Sequence, residues 1–198
     1  DSSSSRGLGD VYKRQTVIYE LDLPPDIYSH LVELCSTINW SNADKYSGGA
    51  ISVDMLDSSY PTWKWWVEDQ LNIINQNTLK DNYSSDVRIN AAWMNKYKVG
   101  DYNGSHTHPW SMYSGVIFLT GDADNMVFIK QNTYNEEVIR VTSVHDVYKY
   151  PATNGKMVVF PSNLHHYVIE NKNDIRHTLA FNSIPSKVYN GHTVRLGR

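Results

Sequence analysis

The hydrophobic positions of this chain change their period at about residue 85. Before that point, two segments carry apolar residues every three or four positions, as a helix with one buried face requires. One helix is predicted after the two prolines at 24–25 and the other after Pro61. Their buried faces are predicted to be Ile27, Leu31, Leu34, Cys35 and Ile38 in the first helix, and Trp63, Trp66, Val67, Leu71 and Ile74 in the second.

Beyond residue 85 the period becomes two, and short β-rich runs alternate with turn residues. Strands are predicted at 86–99, 114–120, 125–131, 137–142, 156–161, 166–170 and 175–183. Helices followed by strands without helical crossovers favour an antiparallel sandwich or barrel with the helices packed outside. The sequence thus predicts a mainly β fold with two or so supporting N-terminal α-helices.

The remaining segments complete this outline. A first strand is predicted within 16–23, and the polar stretch 41–59 is predicted to be a long loop whose SGGAISV piece contains a short strand. The Ser- and Gly-rich residues 1–9 are interpreted as a flexible extension or a segment foreign to the natural gene. We find no repeat and no internal boundary, so residues 10–198 are predicted to form one domain.

The composition of the chain indicates which kinds of binding partner and cellular compartment to expect. A net charge of −3 and a pI near 6.2 give no strong signal for nucleic acid or for an anionic membrane. No apolar run approaches the roughly 20 residues of a membrane span. The single cysteine, Cys35, is typical of a reducing compartment, so we expect a cytoplasmic protein.

Histidines supply the strongest chemical signal. His106 and His108 lie one residue apart, and on extended chain both side chains would point to the same side and could share one metal ion. A third ligand would come from the pair His165 and His166, whose side chains would point to opposite faces. Position alone favours neither of the two. Three protein ligands would suit iron, zinc, copper or nickel and leave coordination positions open for chemistry.

An arginine with polar neighbours indicates an anion pocket beside this metal. Arg176 and Thr178 share one strand face, and a guanidinium directed into a barrel needs an anionic partner such as a dicarboxylate. On the strand RINAAWMNKY, one face is predicted to carry Ile89, Ala91, Trp93, Asn95 and Tyr97, with the last two placed to hydrogen-bond a ligand. The alternatives are that Arg176 pairs with a structural Asp or Glu, and that Tyr97 is a plain core residue.

Two strings of sequence carry a family resemblance. WMNKYKVGDYNGSHTHPWSMYSGVIFL and VVFPSNLHHYVIENKNDIRHTLAFN resemble the 2-oxoglutarate- and iron(II)-dependent oxygenases. The likeness is strongest to a small phage-borne and marine-type group with the ordered series N-x-Y, H-x-H-P, SGV and FPS…H…R…FN. It covers about residues 91–182. It implies a double-stranded β-helix, the cupin-like jelly roll, with a core at about 86–184.

The resemblance also implies roles for individual residues. His106 and His166 would be metal ligands, and His108 stands where most of the superfamily has an Asp or Glu. We assign His108 as the third ligand, with a supporting hydrogen-bond donor as the alternative. Arg176 would bind 2-oxoglutarate, assisted by Thr178, Tyr97 and Asn95, and His165 would point away. Fallback carboxylate ligands are Asp101, Asp122 and Asp124.

The activity implied is that of an Fe(II)- and 2-oxoglutarate-dependent dioxygenase. It would use O2, hydroxylate a small-molecule or peptide substrate and release succinate and CO2, with His106, His108, His166 and Arg176 as the catalytic set. Desaturation and demethylation share the same first step. A phage-encoded enzyme acting in the host cytoplasm fits the resemblance. The rivals are a cupin-like metal enzyme that does not use 2-oxoglutarate and a non-catalytic β-sandwich module.

Overall fold

A computed structural model of the chain describes residues 17–40, 44–45, 51–56, 61–78, 86–121, 126–130, 146–172 and 174–186. In chain order these residues form β1 (Tyr19–Asp22), α1 (Pro25–Thr37), β2 (Asp44–Lys45), β3 (Ile51–Asp54), α2 (Pro61–Thr78), β4 (Val87–Tyr97), β5 (Asn103–His106), β6 (Tyr113–Thr120), β7 (Met126–Lys130), β8 (Asp146–Tyr150), β9 (Lys156–Pro161), β10 (His165–Val168) and β11 (Arg176–Pro185).

The strands form two antiparallel sheets. The larger has the order β1-β9-β6-β11-β4-β3-β2, and the smaller has the order β5-β10-β7-β8. Neighbours in each sheet are mostly distant in sequence, so the chain passes repeatedly between the two sheets. This architecture, together with the two helices before the main run of strands, confirms the predicted mainly β fold.

Both helices begin at a proline, which suits the first helical turn because its N–H has no partner there. The buried residues Ile27, Leu31 and Leu34 of α1 follow the helical period. Those of α2 do the same and pack with α1 against the larger sheet: Trp63, Val67, Leu71 and Ile74. The helices therefore cover one face of this sheet and leave its other face to the smaller sheet.

Side chains of the larger sheet point either toward the helices or toward the smaller sheet. Ile117, Leu179 and Phe181 belong to the cluster that contacts the helices. Phe118 and Phe160 instead pack with residues of the smaller sheet, including Phe128. Because both faces are covered, β6 and β9 are buried at most of their positions. The space between the sheets also contains a pocket, described below.

One prediction about β4 is wrong. Ile89 does not share a face with Trp93, Asn95 and Tyr97, because it belongs to the cluster against the helices. The cause is a β-bulge: Asn182 pairs with Ala91 but Ser183 pairs with Ile89, so β4 has one extra residue, Asn90. A bulge reverses the inward and outward alternation on its far side. The alternation of apolar and polar residues in the sequence does not reveal where such a bulge occurs.

The other predicted strands that lie within the described residues are confirmed, with small differences at their ends. Three described strands were not predicted. β2 lies in the segment predicted as a loop, the NGSH of β5 is polar, and β8 exposes Val147 and Tyr148 instead of alternating. The predicted strand at 137–142 lies outside the described residues, as do the extension at 1–9 and most of the loop at 41–59. The short strand expected in SGGAISV is β3. Neither described helix is long and apolar enough to cross a membrane.

Candidate metal centre

Three imidazoles meet between the sheets. The rings of His106 and His166 have centroids 4.3 Å apart, and the ring of His108 lies 5.0 Å from the first and 5.1 Å from the second. One nitrogen from each ring can be chosen so that all three lie within 4.8 Å of one another. This spacing is of the size that a single metal ion can bridge, because metal–imidazole bonds are about 2 Å long.

Strand pairing brings the first two histidines together. His106 is the last residue of β5 and lies directly opposite His166 of β10. His108 lies beyond the end of β5, so strand alternation does not orient it as the sequence suggested. Its backbone N–H donates to the carbonyl of Ser162 at 2.9 Å, which fixes the chain after β5 against the turn that follows β9. The neighbouring His165 takes no part in the cluster.

The hydrogen bonds of two histidines prepare them for a metal. Nδ1 of His106 lies 2.7 Å from the carbonyl oxygen of Gly104, and Nδ1 of His166 lies 2.9 Å from that of Leu164. A carbonyl accepts only from N–H, so in both rings Nδ1 carries the proton and the Nε2 lone pair is free.

Burial keeps two of the three imidazoles neutral. Burial lowers the pKa of His166 to about 3, an effect that the nearby His106 and His108 reinforce and the Leu164 carbonyl partly offsets. Burial and the neighbouring His106 lower the pKa of His108 to about 4. Both rings are therefore unprotonated at neutral pH, which is the form that binds metals.

Arg176 lies in the same pocket with its charge unpaired. The residue is 3% exposed, and both Nη1 and Nη2 are buried and have no hydrogen-bond partner among the residues that the structure describes. The guanidinium carbon lies 4.4 Å from the centre of the Tyr97 ring. Burial lowers the pKa of Arg176, but an arginine remains protonated at neutral pH. No ion pair of Arg176 with an Asp or Glu occurs among the described residues, although the sequence left that alternative open.

Polar side chains extend this anion site. Asn95 donates through Nδ2 to Oγ1 of Thr178 at 3.3 Å, which leaves the Thr178 hydroxyl proton available for another acceptor. Burial raises the pKa of Tyr97 to about 12, so its phenol stays neutral. Asn95, Thr178 and Tyr97 are all buried. Together they offer hydrogen-bond donors around the guanidinium.

The seven predicted site residues line a single pocket. They are His106, His108, His166, Arg176, Thr178, Tyr97 and Asn95. The pocket has an empty volume of about 580 Å³, part of it open to solvent, and its other walls are largely apolar, including Trp93, Phe118 and Phe160. The geometry thus places these side chains together, and their roles as ligands stay predictions.

Of the fallback carboxylates, the structure describes only Asp101. Asp101 accepts the backbone N–H of Lys98 through Oδ2 and is not part of the histidine cluster. Asp122 and Asp124 lie outside the described residues.

Sequence reasoning missed two polar residues. Asn103 lines the pocket and hydrogen-bonds Tyr97. Asn182 lies 3.4 Å, through Nδ2, from Nδ1 of His108. Extending the alternation of Arg176, Thr178 and Ala180 by two positions along β11 would have found Asn182. Nothing in the sequence pattern around Asn103 marks it out.

The site combines three imidazoles with a separate cationic pocket. Such a set can hold a divalent metal with open coordination positions, and beside it an anion whose carboxylate reaches the guanidinium. One elongated dicarboxylate that also chelates the metal would satisfy both parts.

Solved structures resemble this chain in fold. The non-heme alpha-ketoglutarate-dependent carbocyclase SnoK from nogalamycin biosynthesis is 12% identical, with a TM-score of 0.67 over 95% of this chain and 92% of that one. A Pseudomonas putida prolyl-4-hydroxylase is 15% identical, with a TM-score of 0.58 over 84% and 92%. HygX from Streptomyces hygroscopicus, solved with nickel and 2-oxoglutarate bound, is 10% identical, with a TM-score of 0.57 over 86% and 84%.

At these identities the likeness shows the fold alone, and it confirms the predicted double-stranded β-helix. No curated protein matches this chain in sequence. A family model described as "Putative 2OG-Fe(II) oxygenase" matches residues 91–182. That range contains the three histidines, Arg176 and every other predicted site residue. Residues 91–182 thus match the 2OG-Fe(II) oxygenase family that the sequence motifs predicted.

Proposed function

We propose that this oxygenase binds Fe(II) through His106, His108 and His166, and binds 2-oxoglutarate with Arg176 at the far end of the same pocket. Thr178, Tyr97 and Asn95 assist at that end. The reaction is hydroxylation of a C–H bond in a small-molecule or peptide substrate. One atom of O2 enters the substrate, and the other enters the succinate that forms as CO2 leaves.

A single observation carries this proposal: the unpaired guanidinium in the pocket of the histidine cluster. A buried charge without a partner costs several kcal/mol unless a ligand neutralises it. Both Nη atoms of Arg176 are free, and a carboxylate can accept from both at once. The hydroxyl of Thr178 supplies a third donor, since its oxygen already accepts from Asn95.

The residues present fit the metal and the cosubstrate. When bound, the iron and 2-oxoglutarate supply the oxidising chemistry, and the protein supplies position and environment. His106 and His166 keep their protons on Nδ1 through the carbonyls of Gly104 and Leu164, so each presents a lone pair. Arg176 holds the dicarboxylate in one orientation. The apolar walls, among them Phe118 and Phe160, limit access of water.

A cupin-like metal enzyme without 2-oxoglutarate is the less favoured function. It would use the histidines, but it gives no reason to bury Arg176 unpaired beside them. A non-catalytic module explains neither feature. For the setting, we propose the cytoplasm, which the lone Cys35 supports. The phage-borne subgroup and a single domain over 10–198 stay predictions.

The test needs no substrate. Iron(II) and 2-oxoglutarate are added anaerobically, and the weak visible charge-transfer band of the chelate is recorded. Wild type is expected to show the band, and His166→Ala and Arg176→Ala to lose it. Arg88→Ala, a change of an exposed arginine on β4, is the matched control and keeps the band. Absence of the band in wild type, or its retention in both site variants, would overturn the proposal.

The role of His108 is tested in the same assay. A carboxylate is the usual ligand at its position in the superfamily that the sequence resembles, so His108→Asp is expected to keep iron binding. His108→Ala is expected to abolish it. Iron affinity of His108→Ala within about twofold of wild type would show that His108 is not a ligand.

A further inference from the structure

His108 differs from the other two histidines in its hydrogen bonding. Nδ1 of His106 and of His166 faces a backbone carbonyl, whereas Nδ1 of His108 faces the side-chain amide of Asn182 at 3.4 Å. An amide, unlike a carbonyl, has one end that donates and one that accepts. The proton position on His108 therefore depends on which end of Asn182 faces it.

A buried pair of serines holds the other end of this amide. Oγ of Ser114 lies 2.8 Å from Oδ1 of Asn182 and 2.8 Å from Oγ of Ser162. Ser114 is 1% exposed and Ser162 is 0% exposed. Ser162 also accepts the backbone N–H of His108 through its carbonyl. The network thus joins β6, the turn after β9 and β11 to a single imidazole.

Two orientations of the amide satisfy the same atom positions, because hydroxyls can either donate or accept. With Nδ2 toward His108, Nδ1 is an acceptor, and the neutral ring carries its proton on Nε2. With Oδ1 toward His108, Nδ1 carries the proton and Nε2 is free, as in the other two histidines. In that case Nδ2 donates to Ser114, which donates to Ser162.

We propose that Asn182 is a positioning residue for His108: its Oδ1 accepts the Nδ1–H of the ring and so presents the Nε2 lone pair to the metal. In this orientation Ser114 accepts from Nδ2 of the amide and donates to Ser162, so the amide N–H also has a partner. The inference rests on the proposed iron site. It explains how a histidine outside any strand, at a position without a carbonyl partner, is held in the form that binds metal.

The geometry supports a specific role over general packing. Asn182 is on β11 in register with Ser114 of β6, six residues from Arg176, so one strand carries both the anion-binding arginine and the partner of His108. Partners of this kind fix the orientation and tautomer of metal-binding imidazoles, and their loss typically weakens metal binding by roughly 10- to 100-fold.

The test compares Fe(II) affinity, measured anaerobically by competition with a coloured chelator, in wild type, Asn182→Leu and Asn182→Asp. Leu has nearly the shape of Asn but no acceptor, so we expect affinity to fall by roughly 10- to 100-fold. Asp can only accept, so it is expected to match or exceed wild type. Asn77→Asp, at an exposed position in the last turn of α2, controls for the added charge.

A direct readout separates this role from a structural one. Long-range ¹H–¹⁵N spectra of the full chain loaded with Zn(II) report which nitrogen of each imidazole carries the proton, and His108→Gln assigns the signals. The expected result is Nδ1–H on His108 in wild type and in Asn182→Asp. The spectra of wild type alone decide the tautomer, even if Asn182→Leu does not fold.

Three results would overturn the inference: unchanged iron affinity in Asn182→Leu, a loss in Asn182→Asp as large as in Asn182→Leu, or Nε2–H on His108. Each requires that wild type binds iron. If wild type binds none, the proposed function fails instead, so the two failures are distinguishable.

Discussion

At the scale of single residues, Arg176 shows how a binding group departs from what stability favours. Within the described part of the chain its buried Nη atoms have no hydrogen-bond partner, and the face of the Tyr97 ring lies 4.4 Å away. Leaving a buried charged donor unsatisfied costs about 1–3 kcal/mol or more. A residue kept for folding would have acquired a carboxylate partner. We therefore expect a ligand to supply the missing interaction.

Replacing this arginine should consequently have opposite effects on stability and on binding. Arg176→Met removes the unpaired charge but keeps much of the apolar stem, so we expect the ligand-free protein to become more stable by about 1 kcal/mol or more. Binding of 2-oxoglutarate should weaken at least ~100-fold, since a charge-assisted pair worth about 3 kcal/mol is lost. Urea unfolding and calorimetric titration measure the two quantities.

The control for this prediction is Arg88→Met, the same substitution at an exposed position of β4. It should leave both quantities near their wild-type values. If Arg176→Met destabilises the ligand-free protein and leaves 2-oxoglutarate binding intact, Arg176 has a structural role.

At the scale of elements, the start of β11 is placed by the turn that ends β6. Gly121 has φ +93°, and a Cβ at this position would lie 2.8 Å from both Cα and Cβ of Arg176. The first of these is backbone and cannot move alone. Gly121 therefore allows β11 to approach closely enough to direct Arg176 into the pocket. The sequence showed only a glycine before a polar segment.

We expect Gly121→Ala to displace the start of β11 and to weaken 2-oxoglutarate binding. Gly100→Ala is a matched comparison, because Gly100 has φ +89° but no atom within 4 Å of a Cβ placed there. In both variants the alanine must adopt a positive φ, which destabilises the folded protein by about 1–2 kcal/mol. Gly121→Ala should lose about 1–3 kcal/mol more from the clash. Urea midpoints and 2-oxoglutarate titrations that are equal in the two variants would contradict this account.

At the scale of the whole molecule, the two-sheet fold buries several imidazoles. Burial lowers the pKa of His166 to about 3 and those of His108 and His177 to about 4, with neighbouring charges as smaller contributions. An unfolded histidine has its ordinary pKa near 6.5. Between these values the unfolded chain binds more protons than the folded protein. The contribution of these neutral histidines to the free energy of unfolding is therefore fully present above about pH 6.5, and it is lost as the pH falls toward 4.

His177 allows this pH dependence to be tested away from the proposed metal ligands. Its Nδ1 pairs with Oγ1 of Thr120 at 2.8 Å, and its ring lies 5.4 Å from that of Trp40, on the helix side of the larger sheet. In His177→Gln, the loss of unfolding free energy between pH 6.5 and pH 4.5 should be smaller than in wild type. Urea titrations of the metal-free protein at several pH values measure it. Equal losses in the two proteins would contradict the prediction.

Local sequence pattern by itself determined much of this protein. Helical spacing identified α1 and α2, and short β-rich runs bounded by turn residues identified β6, β9 and most of β11. The ordered histidine and arginine motifs indicated the oxygenase family whose model matches residues 91–182. These features depend on neighbouring positions, or on the identity and order of residues, and both are explicit in the chain. The membership of the pocket was also accessible, because Arg176 and Thr178 share a face by alternation alone.

Tertiary structure decided what depends on register and on contacts between distant strands. The bulge at Asn90 moved Ile89 to the other face, because the partner strand and not the local pattern sets that pairing. The pairing of β5 with β10 selected His166 over His165, and a bond to Ser162 placed His108 beyond the end of its strand. The contact between Asn182 and His108 likewise depends on how β11 lies relative to the chain after β5. Residues separated by some 70 positions become neighbours only when the sheets close, and no periodicity encodes which of them will touch.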